Sequence, residues 1–146
     1  MPPFRPLLVL IAAADQAVRD SLQFALRLEG FGVRTHSVAE ELLMDTALER
    51  AACVILDDHR PYLDGFEVLT RLRARAIEVP VILLAGYVPV RLRVRAAAAG
   101  FHAVLEKPLL NNVLLDALQT ITEPGRGDRD DVSGRRTQVP PDPPQP

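Results

Sequence analysis

The sequence predicts an α/β fold, a five-stranded parallel sheet in which each strand is followed by a helix and both faces are covered. Three observations predict it. Short apolar runs alternate with helical patterns across the first 122 residues. Val54–Leu56 and Val81–Leu84 are near-continuously apolar, as central strands buried on both sides must be. Each run is also followed by a segment long enough for the crossover that parallel neighbours require.

The elements follow in order. Leu7–Ala12 is the first strand. The helix after it spans Gln16–Glu29, with Val18, Leu22, Ala25 and Leu26 on one face and Arg19, Asp20 and Arg27 toward water. Gly30 follows where a left-handed C-terminal cap is wanted. Gly32–His36 is the second strand, and Ser37 with Glu40 reads as a capping box opening a helix over Ala39–Leu48. Ala52–Asp57 precedes a helix over Gly65–Arg75. Val79–Leu84 precedes one over Pro89–Ala99, with Pro89 in its first turn and Gly100 after its end. His102–Leu105 is the last strand, and Leu109–Ile121 the last helix. Residues 124–146 carry six prolines and the mixed run Arg126-Gly127-Asp128-Arg129-Asp130-Asp131, with no apolar periodicity. The expected organisation is an extension over 1–6, one domain over 7–122 and a disordered, proline-rich tail over 123–146.

Composition narrows the classes. The chain has 146 residues, 48% hydrophobic and 25% charged, which suits one globular domain with a real core. A net charge of −2 argues against nucleic-acid binding through bulk charge. The single cysteine excludes an internal disulfide, and Cys53 lies in an apolar strand pattern where a buried structural thiol is expected. The N-terminus lacks a signal-peptide core, and no apolar stretch reaches the ~20 residues that span a bilayer. The expected location is the cytoplasm, with no membrane and no nucleic-acid partner. Residues 123–146 are too few and too polar to build a DNA-binding output domain, so a stand-alone chain is expected.

Chemistry concentrates at one edge. In an open parallel sheet the reactive site lies outside the carboxyl ends of the strands. Asp57 ends the third strand, Ala85 follows the fourth and Lys107 follows the fifth, so all three should meet there. A carboxylate can be a nucleophile toward a phosphoryl group, and a lysine can neutralise phosphoryl oxygens as a point charge. The first strand, however, ends in Ala12-Ala13-Ala14 rather than in acids. His36, His59 and His102 have no metal-ligand spacing. Gly30-Phe31-Gly32 follows a helix and so makes no dinucleotide site.

Three segments carry a family resemblance: Asp57-Asp58-His59-Arg60-Pro61-Tyr62-Leu63-Asp64-Gly65, Pro80-Val81-Ile82-Leu83-Leu84-Ala85-Gly86 and Leu105-Glu106-Lys107-Pro108. Together they resemble the receiver domain of two-component response regulators. The opening Val18-Arg19-Asp20-Ser21-Leu22 is similar to the receivers of nodulation and nitrogen-fixation regulators. The resemblance covers roughly 7–122. It implies the flavodoxin-like (βα)5 receiver fold with strand order 2-1-3-4-5.

Position by position, the resemblance makes Asp57 the aspartate that accepts phosphate from a histidine kinase. Lys107 becomes the lysine that contacts the phosphate, and Pro108 the proline usually preceded by a cis peptide. Ala13 and Ala14 fall where the family has its acid pair for Mg²⁺. Ala85 falls where a Thr or Ser bonds the phosphate, and Val104 where a Phe or Tyr swings inward. No resident cofactor or metal is expected, and any Mg²⁺ binding is expected to be weak, because Mg²⁺ wants several hard oxygens and the site keeps Asp57 and a backbone carbonyl near His59. Asp15 and Asp58 lie one residue off along an extended chain and help only if the loop bends. Without acids to crowd it, Asp57 is expected to pair directly with Lys107.

The resulting expectation is a pseudo-receiver in phosphorelay signalling that is not an enzyme. It would act mainly by protein binding, with impaired or phosphorylation-independent switching. Expected partners are a histidine kinase or other signalling protein, and a homodimer through the fourth helix, fifth strand and fifth helix. Arg91 and Arg95 are the candidate contacts there; a solvated face is the plainer reading of the Arg91, Arg93, Arg95 spacing. The first alternative is a working Asp57 phosphoacceptor serving as phosphate shuttle or sink. The second is an unrelated enzyme on the same scaffold.

Overall fold

The structure is a computed structural model and describes residues 6–122; the expected tail, 123–146, lies outside the described residues. Five strands, β1 (Leu8–Ala12), β2 (Gly32–His36), β3 (Cys53–Asp57), β4 (Val81–Ala85) and β5 (Ala103–Glu106), form one parallel sheet in the order β2-β1-β3-β4-β5. The helices are α1 (Gln16–Leu28), α2 (Ala39–Leu43), α3 (Gly65–Ala74), α4 (Val90–Ala99) and α5 (Val113–Thr122). The sheet and α1–α4 belong to one compact unit that ends at Asn111; α5 belongs to another that begins at Asn112.

Period-two alternation divides the sheet's apolar residues between its faces. Leu10, Ala12, Val54, Leu56, Val81 and Leu83 point to one side and are fully buried, against Leu42 and Leu43 of α2, Val68, Leu69 and Leu72 of α3 and Ala96 of α4. Val9, Ile11, Cys53, Ile55, Ile82 and Leu84 point to the other and are equally buried. There α1 buries Leu22 and Leu26. Each fully buried Leu or Ile contributes roughly 1.5–3 kcal/mol by leaving water. Burial also pushes the Cys53 thiol up to about 12, which makes it an inert packing residue.

Helix ends show the local rules at work. Asp15 caps α1, its carboxylate accepting the Ala17 N–H at 2.8 Å. Gly30 and Gly100 have φ of 94° and 108°, the left-handed caps expected of them. Pro89 is the N-cap of α4 rather than a first-turn residue.

Several expectations need correction. The second helix stops at Leu43 and only a short 3-10 turn, Leu48–Arg50, follows it. The cause is Asp45, whose carboxylate turns inward to accept from Arg34 Nε, His36 Nε2 and the Ala47 N–H, each at 2.8 Å. Ser37 makes no capping box: Val38 is the N-cap, without a side-chain bond. Ala25 of α1 is exposed, as are Phe24 and Leu28. The last helix begins at Val113, not Leu109, after Asn111 takes a left-handed φ of 57°.

Candidate functional site

Parallel pairing brings the strand ends together. Leu56 is in register with Ala12 and Asp57 with Leu84, while Ala85 is in register with Glu106. The chain leaves β1 toward β2 on one side and returns to β3 on the other, so the crevice of this sheet opens between β1 and β3. Asp57 stands at that crevice, buried at the end of β3. The Asp58 N–H donates to Leu84 O and the Lys107 N–H to Ala85 O, both at 2.8 Å, which pins the segments after β3 and β5 against β4.

The central contact is direct. Lys107 Nζ donates to Asp57 Oδ1 at 2.5 Å, the pairing expected from the sequence. The lysine side chain is partly exposed and the carboxylate is not. The Lys107–Pro108 peptide is cis, as is Arg60–Pro61, which the sequence had not singled out.

The oxygens around Asp57 are engaged elsewhere. Asp15 is the cap of α1. Asp58 Oδ1 accepts the Gly65 N–H at 2.9 Å and Oδ2 lies 3.5 Å from Arg60 Nε. The His59 carbonyl accepts the Leu63 N–H at 2.8 Å. Ala13 is buried, and the Ala13 and Ala14 carbonyls accept from Arg19 Nη1 at 2.7 and 3.1 Å. Arg19 therefore does not face water as its helical position suggested. It sets a fixed cation against Ala13 and Ala14, the residues that the resemblance places at the acid-pair positions.

That donor set does not fit Mg²⁺, which demands near-octahedral oxygen ligation. One carboxylate, already paired with an ammonium, and a carbonyl already bonded fall short of it. Among the described residues no group of three or more His, Cys, Asp or Glu is placed to hold a metal ion.

The remaining candidates are placed as follows. Ala85 is buried at the end of β4. Val104 packs partly buried against the core, and its carbonyl accepts from Arg93 Nη1 at 3.2 Å. Arg91 is exposed on α4. Arg95 is exposed too, but its guanidinium lies 4.6 Å from the Phe66 ring centroid, so it also has an internal contact. No helix among the described residues is long and apolar enough to cross a membrane.

Arg19 and Asp45 also escaped the sequence. Arg19 could have been suspected, since a long cation five or six residues after a strand end can reach that strand's last carbonyls. Asp45 could not, since nothing near it marks a buried acid. Burial pushes the Asp45 carboxyl up, but the Ala47 N–H, Arg34 and His36 outweigh it and hold the group at about 2. His36 links this cluster to the site, because its carbonyl accepts the Ala13 N–H at 3.0 Å.

The chain is similar to known proteins over most of its length. It is 31% identical over 134 residues to the transcriptional regulatory protein FixJ of Rhizobium meliloti, covering 90% of this chain and 66% of that protein. It is 32% identical over 123 residues to nodulation protein W of Bradyrhizobium diazoefficiens, covering 84% and 54%. The chain thus spans about half to two thirds of the length of these two relatives. The crystal structure of FixJ-N superposes with a TM-score of 0.71 at 30% identity, covering 82% of this chain and 96% of that one. A CheY-like receiver domain from Methanospirillum hungatei superposes with a TM-score of 0.70 at 25% identity, covering 84% and 99%. The sequence profile of the response regulator receiver domain matches residues 9–119, and the chain belongs to that family.

Proposed function

We propose that this receiver is atypical: it acts mainly by binding other signalling proteins, and its switching is impaired or independent of phosphorylation. The observation that carries the reading is the oxygen supply beside Asp57: its own Oδ1 is paired with Lys107, and Asp15, Asp58 and the Ala13, Ala14 and His59 carbonyls each already accept a hydrogen bond. Phosphoryl transfer depends mostly on positioning and electrostatic stabilisation, so a site without its metal loses several orders of magnitude in rate. Ala85 has no hydroxyl and Val104 no ring, which supports the second half of the reading. The partners that fit are a histidine kinase or other signalling protein, and a second copy meeting at α4 and β5. The role is non-enzymatic and belongs in the cytoplasm.

Survival of Asp57 and Lys107 in contact favours a second reading, a working phosphoacceptor that serves as shuttle or sink. Intact-mass analysis after incubation with a small phosphodonor and Mg²⁺ separates the two. Under the first reading neither wild type nor Asp57→Asn gains a phosphate adduct. An adduct in wild type that Asp57→Asn abolishes would overturn it in favour of the second.

A further inference from the structure

We propose that Phe66 is a coupling element that ties α4 to the loop following Asp57, by a route that uses neither Ala85 nor Val104. Two arginines from different elements address its ring. The guanidinium carbon of Arg60, in the β3–α3 loop, lies 5.8 Å from the ring centroid, and that of Arg95, on α4, lies 4.6 Å away. Both are within the range of cation–π attraction. Phe101, just beyond α4, meets the same ring edge-on at 5.1 Å and 75°.

The loop side of this contact is tied to the acceptor position. Arg60 pairs with Asp58 at 3.5 Å and with Asp64 at 3.3 Å. Asp58 follows Asp57 directly and accepts the Gly65 N–H. Asp64 accepts the N–H groups of Phe66 and Glu67, fixing the first turn of α3, which carries the ring. The loop is closed on itself by the His59 and Leu63 backbones, which exchange bonds at 2.9 and 2.8 Å. Contacts therefore run without a gap from the residue after Asp57, through Arg60 and Phe66, to Arg95 beside the exposed Val94.

A carboxylate on a bound partner that draws Arg95 off the ring removes one of its restraints and loosens the loop. Coupling between sites is reciprocal, so a change in the loop alters the availability of Arg95 equally. This holds whether or not Asp57 accepts phosphate.

Amide hydrogen exchange tests the route, read at His59 and Leu63 against Ile55 of β3 as the global reference. Arg95→Ala and Phe66→Leu should each speed exchange at His59 and Leu63 by roughly two- to five-fold, the range set by one exposed cation–π contact. Phe66→Tyr, which keeps the ring, should retain the protection. Arg91→Ala, which removes a neighbouring charge without a ring contact, should leave it unchanged. Arg95→Ala should add nothing in a Phe66→Leu background. The proposal is overturned if Arg95→Ala leaves the loop unchanged or Arg91→Ala matches it. Additive effects, or an acceleration that Ile55 shares in full, overturn it too.

Discussion

At the scale of single residues the protein is governed by where its few buried charges find partners. Asp57 has one cation, Lys107, and removing it leaves a buried carboxylate uncompensated. Lys107→Ala should therefore lower stability by about 1–3 kcal/mol in urea denaturation, less than for a fully buried pair because the lysine is partly exposed. The Asp57→Ala, Lys107→Ala double variant should lose less than the two single losses added together. Full additivity would mean the two side chains do not interact. Asp45 adds an acid-sensitive contribution. Its folded-state value of about 2 lies below the ordinary 3.8, so its contribution to stability is complete above about pH 4 and is lost as the pH falls toward 2. That contribution is roughly 2 kcal/mol, and stability curves from pH 5 to pH 2 should flatten in this window for Asp45→Asn relative to wild type.

At the scale of elements, what was legible in the sequence is what local chemistry decides. The five strands were readable because a sheet buried on both faces has to be written in consecutive apolar residues, as in Val54-Ile55-Leu56 and Val81-Ile82-Leu83-Leu84. The convergence of Asp57, Ala85 and Lys107 was readable for the same reason, since parallel topology puts successive strand ends on one edge. The length of α2 was not, because Asp45 is drawn out of the helical pattern by Arg34 and His36, eleven and nine residues away. The aim of Arg95 was also hidden, and that of Arg19 open only to suspicion, since a long side chain on an amphipathic helix can reach over its neighbours as easily as into water. Gly65 has a stricter requirement. A methyl group there would run into Cδ1 of the fully buried Leu83, at the point where α3 meets β4. Gly65→Ala should cost about 1–3 kcal/mol by overpacking, visible as a lower urea midpoint at an unchanged slope.

At the scale of the whole molecule the chain has the receiver sheet, and the edge of that sheet holds a closed Asp57–Lys107 pair. Lys107 pairs with Asp57, Arg19 holds the Ala13 and Ala14 carbonyls, and the positions that the resemblance gives to the switch hold Ala85 and Val104. Under the proposed function, such a molecule presents a surface more readily than it changes one. On that surface α4 carries Arg91 and Arg95 and no acidic residue of its own, so Arg91→Glu should weaken self-association or partner binding. Unchanged sedimentation and pull-down profiles would remove that face from the account. Restoring acids by Ala13→Asp together with Ala14→Asp should bring Mg²⁺ binding back, and Arg19 would then have carboxylates to pair with. The most direct measurement is a Mg²⁺ titration of the unmodified chain followed by amide NMR. No saturable shift is expected at Ala13, Ala14, Asp57, Asp58 or His59 through millimolar Mg²⁺, and a saturable one is expected in the two-aspartate variant. Saturable shifts at those amides in wild type would contradict it, because the site would then hold the metal that its oxygens are argued to exclude.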